Sequence, residues 1–296
     1  MTMTASSRAK LPAFPWQDRR GRLSWLKLGA FVGLFVPAIF IAGSWAAGDL
    51  MPRPLNAVIH LTGLWGMRFL LLSLCLTPLR TGLALPELIL LRRMLGLGAF
   101  AYIAAHFLLF VGDQAFDPLA IAREITGRFY LTIGFVALIG LCLLAATSTD
   151  GMARRLGAAR WRRLHRITYG LGLLALVHFF MQSKADPAEA TIAAGLYLWA
   201  LARRRWSAPL AIPALVAIAG IGAALAEAGF FFALRGIDPL RVLAANLDIE
   251  FGLRPALWAG LIAAAVEIAG LIRRTAARKA RGAPRPVAAR RAGSAP

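Results

Sequence analysis

The chain has 296 residues, of which 59% are hydrophobic and 16% charged, and its mean hydropathy is +0.65. This composition excludes an ordinary water-soluble domain and predicts an integral membrane protein. The formal net charge of +20 could indicate a nucleic-acid partner. The basic residues are, however, spread over the ends of many apolar segments, which favours anionic membrane lipid and argues against nucleic acid.

Eight apolar segments approach the roughly 20 residues that a helix needs to cross about 30 Å of hydrocarbon. We predict spans at residues 28–47, 57–77, 94–112, 129–146, 166–182, 187–202, 208–234 and 255–272. The sixth is the weakest, because charged residues border it on both sides. The predicted fold is therefore an all-α, polytopic transmembrane helix bundle.

The loops between these spans alternate between basic and acidic. Basic clusters precede the first span and recur at 92–93, 154–166, 203–205 and from 273 onward, whereas acidic residues occupy the opposite loops. Loops rich in Lys and Arg stay in the cytoplasm, so we predict that both termini are cytoplasmic. Residues 1–27 are predicted to form a cytoplasmic or interfacial segment, and residues 273–296 a basic, disordered cytoplasmic tail.

The four histidines of the chain all lie in or at the edge of predicted spans. They are His60, His106, His165 and His178. Ionisable groups in membrane segments usually mark function, and imidazole is a standard axial ligand of haem iron. The alternative is that each histidine only bonds to a neighbouring helix.

Depth in the membrane singles out His106 and His178, which come late in two spans that run in the same direction. A haem between them would have both axial positions filled, which favours electron transfer over oxygen chemistry. His165 precedes His178 by a rise of about 20 Å, which suits a second haem. The two rings would point roughly 140° apart on an ideal helix. A second haem therefore requires a bend, or a His165 outside regular helix.

Three further residues are candidate contacts of a second haem or of propionates, and no residue is assigned a catalytic role. Arg92 lies about 21 Å below His106 and about 40° from the same helix face, so it could bind a propionate or serve only as a positive-inside anchor. His60, with Arg68 two turns deeper, could bind propionates or a quinone head group, or be a plain interfacial residue.

Glu227 and Glu267 lie within the last two spans, where a carboxylate could relay protons or simply pair with water or a nearby base such as Arg235 or Arg273. The sequence contains no dinucleotide-binding or phosphate-binding loop and no long soluble stretch. Electrons must therefore come from another molecule.

Several short motifs follow one another along the chain in a specific order and spacing. With His106 and His178, they are H-L-T-G at 60, L-T-P-L at 76, R-R-M-L-G-L at 92, I-T-G-R-F-Y-L-T-I-G at 125, T-S-T at 147 and R-W-R-R-L-H-R-I-T-Y at 160. On these motifs residues 25–206 resemble MsrQ, the family of haem-binding membrane subunits of bacterial methionine-sulfoxide reductase systems, within the ferric-reductase-like transmembrane group.

The resemblance implies a six-helix core, residues 28–206, that holds one or two b haems in the bacterial inner membrane. It carries haem ligation onto His106, His165 and His178, and the family's arginine onto Arg92. Electrons would come from the quinone pool or a flavin and pass to a periplasmic molybdopterin-containing methionine-sulfoxide reductase, the other subunit of a heterodimer, which repairs oxidised proteins. FMN is implied by the resemblance alone. Residues 207–272, two additional transmembrane helices of unknown role, lie outside it.

Two other functions stay open at this point. The chain could be a self-standing transmembrane reductase of metal ions or quinones, or a haem-free transporter or scaffold whose histidines are incidental. Its expected role is that of an electron-transfer subunit rather than the catalytic subunit of an oxidoreductase.

Overall fold

The computed structural model describes residues 14–18, 20–184, 186–206, 211–248, 250 and 252–282. Over these residues the protein is all-α, as predicted. The helices are α1 Trp25–Ala47, α2 Pro54–Gly82, α3 Arg92–Asp113, α4 Pro118–Gly127, α5 Phe129–Ala146, α6 Asp150–Leu164, α7 Ile167–Gln182, α8 Ala188–Arg205, α9 Ile212–Arg235, α10 Pro239–Ala245 and α11 Pro255–Gly282. A 3-10 turn, Pro86–Leu91, leads into α3.

Eight of these helices coincide with the eight predicted spans, and α4, α6 and α10 are additional helices between them. In the described part of the chain, six helices are long and apolar enough to cross a membrane: α1, α2, α3 with its preceding turn, α5, α9 and α11. Helices α6 and α7 meet at an angle of 50° and together give a seventh candidate. Helix α8 is not among these candidates, so the eight-span topology stays a prediction.

Helix α8 lies inside the bundle, where it packs against α2, α9 and α11. Nine of its residues are buried, including Thr191, Tyr197 and Trp199. A helix enclosed by other helices needs no lipid-facing apolar surface, so the polar residues of α8 are compatible with its position. Its enclosed position accounts for the weak apolar character of the sixth predicted span.

Charged residues distinguish the two ends of the bundle. One end, here the basic end, carries Arg80 at the end of α2, Arg92 at the start of α3 and the three arginines that close α8. The other, here the acidic end, carries Glu189 at the start of α8 and Asp238 before α10. The structure thus has the alternation of charge from which the orientation was predicted.

Helix α11 corrects the predicted boundary of the tail. It continues to Gly282, so residues 273–282, predicted as part of a disordered tail, are helical. Arg273 Nε donates to the carbonyl of Leu83 at 3.0 Å, and Arg274 donates to the carbonyls of Thr81 and Gly82. The basic residues therefore attach α11 to the end of α2. Residues 283–296 and 1–13 lie outside the described part.

The two membrane carboxylates have different partners from the arginines considered above. Glu267 Oε1 lies 2.9 Å from Arg203 Nε, with both side chains 2% exposed, and also accepts from Trp199 Nε1 at 3.2 Å. Glu227 accepts from Asn246 Nδ2 at 3.1 Å. The arginine partner of Glu267 is thus Arg203 rather than Arg273, because α8 lies against α11.

We expect Glu267→Gln to lower the stability of the protein by about 3–5 kcal/mol, because it leaves the Arg203 guanidinium buried without a counter-charge. The measurement is the midpoint of thermal unfolding in detergent, with Glu87→Gln on the exposed 3-10 turn as the matched control. Replacing both partners by leucine should recover most of the loss. A Glu267→Gln variant as stable as the control would show that the ion pair does not hold α11 in place.

Candidate functional site

A cavity of about 410 Å³ lies between α2, α3, α5 and α7, toward the acidic end of the bundle. His106 of α3 and His178 of α7 face each other across it, with ring centroids 6.5 Å apart and ring planes inclined by 75°. Leu, Ile and Phe side chains form most of the remaining wall. The cavity therefore combines two imidazoles with apolar surroundings.

Both histidines are fixed by a hydrogen bond to the backbone of the neighbouring helix. His106 Nδ1 lies 2.7 Å from the carbonyl oxygen of Ile59, and His178 Nδ1 lies 2.8 Å from that of Tyr130. A carbonyl oxygen can only accept, so Nδ1 must carry the proton in each ring. The lone pair of each Nε2 is then free to bind a metal ion.

A glycine makes each of these hydrogen bonds possible. Gly63 follows Ile59 by one helical turn, and Gly134 follows Tyr130 by one turn. A Cβ atom added to Gly63 would lie 2.9 Å from His106 Nδ1, and one added to Gly134 would lie 2.8 Å from His178 Nδ1. Any other residue at either position would push the imidazole away from the carbonyl that orients it.

The pair of imidazoles fits the haem that the family resemblance implies. Two imidazoles on opposite sides of one metal ion have centroids roughly 6 to 6.5 Å apart, given metal–nitrogen bonds of about 2.0 Å, and the observed separation is 6.5 Å. Two nitrogens are too few ligands for most bare metal ions, whereas haem iron has four from its porphyrin. The apolar wall suits the faces of such a macrocycle.

His165 lies apart from this cavity, between α6 and α7. It stands outside regular helix at the 50° bend, which meets the condition set above for a second haem. Its ring stacks on Trp161 at a centroid distance of 3.9 Å, and its Nε2 lies 3.2 Å from Thr147 Oγ1. Unlike the other two histidines, it therefore has its Nε2 beside a hydroxyl group.

The remaining predicted contacts divide between the two ends of the bundle. Arg92 stands at the basic end, near enough to His165 to interact with it electrostatically. His60 lines the cavity of His106 and His178. Arg68 donates from Nε to Glu189, which lines the same cavity, at 3.1 Å and lies over the Trp65 ring at 4.5 Å. The structure thus groups His60 with the facing pair and Arg92 with His165, and pairs Arg68 with an acid.

The motifs next to Ile59 and Tyr130 do not by themselves assign a role to their residues. The available signal was a glycine one turn after each carbonyl, since small residues in membrane helices mark close approaches. The sequence does not show which side chain makes the approach. The structure supplies this information for Gly63 and Gly134.

Comparison with known proteins gives consistent matches. The family model described as ferric reductase like transmembrane component matches residues 62–176. The heme-binding subunit MsrQ of protein-methionine-sulfoxide reductase from Rhodospirillum rubrum is 42% identical over 183 residues, which are 61% of this chain and 85% of the relative. Its counterpart from Caulobacter vibrioides is 36% identical over 177 residues, covering 60% of this chain and 84% of the relative.

The same subunit from Brucella suis is 43% identical over 176 residues, which are 57% of this chain and 78% of the relative. No solved structure matches the chain. The family model includes His106 and His165 and ends shortly before His178. With this much of each relative covered, the chain belongs to the MsrQ family.

Proposed function

We propose that this protein is a haem b electron-transfer subunit of a methionine-sulfoxide reductase system. It would pass electrons from the quinone pool to a periplasmic molybdopterin-containing reductase that repairs oxidised proteins. The observation that carries the proposal is the facing pair His106 and His178, whose ring centroids are 6.5 Å apart and whose Nδ1 atoms are taken up by backbone carbonyls, which leaves each Nε2 for a metal ion. The name of its relatives, heme-binding subunit, supports the same assignment.

The residues of the site explain how a bound haem would be limited to electron transfer. A haem iron supplies a one-electron redox centre. His106 and His178 would hold the haem by one imidazole each, which would leave no place at the iron for oxygen or a sulfoxide. The carbonyls of Ile59 and Tyr130 hold the rings in place and increase the basicity of each Nε2. Most of the cavity wall is apolar, whereas Gln182, Ser183, Asp186 and Glu189 add polar groups to it.

The position of the site suggests the direction of electron flow. We propose that the basic end faces the cytoplasm of a bacterial inner membrane, with both termini on that side, because of the positive-inside rule. The cavity then lies toward the periplasm, where a partner subunit could accept electrons. Quinol, or a flavin such as FMN, would deliver them toward the basic end. Arg92 and His165 there are the candidates for a second haem.

A second candidate function is favoured by the match to ferric reductase like transmembrane components. In that case the protein would reduce metal ions or quinones by itself. Rapid reduction of a ferric chelate by the quinol-reduced, purified chain without any partner would favour this function. If the reduced chain is oxidised only after a molybdopterin reductase is added, the result favours the subunit role.

We expect His106→Ala and His178→Ala each to lose the haem held between them, because a low-spin centre needs both axial nitrogens. The pyridine haemochrome assay measures the haem-to-protein ratio. The ratio should fall to near zero if there is one haem and by about half if there are two. Ser183→Ala, which changes the same cavity at a residue with no assigned haem contact, is the matched control. A full haem content in either ligand variant would exclude the proposed pairing.

Gly63→Ala and Gly134→Ala should weaken haem binding by about 10- to 100-fold, the usual effect of disturbing the groups that orient a metal ligand. The added methyl groups would displace His106 and His178 from their carbonyls. Haem titration into the apoprotein gives the affinity. Gly96→Ala and Gly170→Ala are matched controls on α3 and α7, because both glycines have open space around them. Equal affinities in all four variants would contradict the orienting role.

His165→Ala distinguishes one haem from two. If His165 holds a separate haem, about half of the haem should remain in the variant, because His106 and His178 are intact. One redox step should disappear. Potentiometric titration of the purified variant, beside His106→Ala as a control that removes the other step, gives the answer. A complete titration curve in His165→Ala would assign this residue a structural role beside Trp161 and Thr147.

A further inference from the structure

Helix α11, which lies beyond the residues matched by the family model, closely approaches the end of α2. A Cβ atom added to Gly270 would clash with the carbonyl oxygen of Gly82. Arg274 donates to the carbonyls of Thr81 and Gly82, and the last carbonyls of a helix have no partner within it. These contacts hold the basic end of α11 against the C-terminal end of α2.

A cleft of about 420 Å³ lies at this junction, between α2, the 3-10 turn, α8 and α11. Its lining residues are Arg80, Thr81, Ala84, Pro86, Arg203 and Arg274. Three arginines from three helices thus converge on one cleft. They belong to α2, α8 and α11. Without α11 the cleft would lack its third arginine.

The cleft has more arginines than carboxylates. Glu267 neutralises Arg203, to which it is paired at 2.9 Å. Of the three lining guanidinium groups, Arg203 is paired with a carboxylate, whereas none of the ion pairs among the described residues involves Arg80 or Arg274. The site therefore favours a ligand that carries negative charge.

Arg80 provides a second indication of a missing ligand. Its Nε atom is buried and has no hydrogen-bond partner in the described part of the protein. A buried, unpaired N–H of a charged group is unfavourable, so an acceptor is expected there. Ordinary positive-inside anchoring places the arginine head group in water, whereas the Nε atom of Arg80 is buried.

We propose that this cleft binds the phosphate group of an anionic membrane lipid. The cleft lies at the ends of membrane helices, which is the level of lipid head groups. Arginine binds phosphate oxygens through paired hydrogen bonds, and basic clefts between membrane helices bind anionic head groups. The lipid would join α2 of the haem-binding core to α11, and this role does not depend on haem.

The test is native mass spectrometry of the full chain released from nanodiscs that contain equal amounts of phosphatidylglycerol and phosphatidylcholine. The wild type should retain phosphatidylglycerol preferentially. Arg80→Gln should reduce its retention by about fivefold, the effect expected for one arginine at the membrane surface. Arg278→Gln is the matched control, since this exposed residue lies one turn beyond Arg274 on α11.

An unchanged far-ultraviolet circular-dichroism spectrum in Arg80→Gln would show that the fold is intact, and Arg80→Lys, which keeps the charge, should retain an intermediate amount of lipid. Equal retention of phosphatidylglycerol in wild type and Arg80→Gln would overturn the proposal. So would equal retention of the two lipids by the wild type. Binding of inorganic phosphate that requires Arg80, without any lipid preference, would assign the cleft to a soluble phosphate compound and also overturn it.

Discussion

The site depends on one requirement, that the N–H group of a histidine inside a membrane must have an acceptor. For His106 and His178 this acceptor is a helix carbonyl, that of Ile59 or Tyr130. The hydrogen bond fixes the tautomer and the direction of Nε2, and it forms only where a glycine allows the ring to reach the backbone. Tight packing of α3 on α2, and of α7 on α5, follows from the same requirement.

The two halves of the site are built in the same way. In each, a helix supplies a carbonyl and a glycine one turn later, and its neighbour supplies the histidine. The segments I-H-L-T-G from Ile59 and Y-L-T-I-G from Tyr130 perform this role on opposite sides of one cavity. Helices α8, α9 and α11 then cover the core on another side, and the pair Arg203–Glu267 joins α8 to α11.

The sequence was sufficient for features that depend on residue type and period, and insufficient for those that depend on long-range contacts. Depth along two parallel spans predicted that His106 and His178 approach each other, and they do; their haem ligation stays a prediction. The partner of Glu267 was not predictable, because Arg203 is distant in sequence. The arginine-rich α6 lies where the sequence predicts a loop, because a short polar helix carries little apolar signal.

We propose that His106 and His178 together would occupy both axial positions of one haem. Addition of carbon monoxide to the reduced, haem-loaded protein tests this most directly, because carbon monoxide binds ferrous haem only at an open or easily vacated position. If both positions are occupied, we expect that the Soret band of the reduced protein does not shift under carbon monoxide. A rapid and complete shift would show an open axial position and contradict the account.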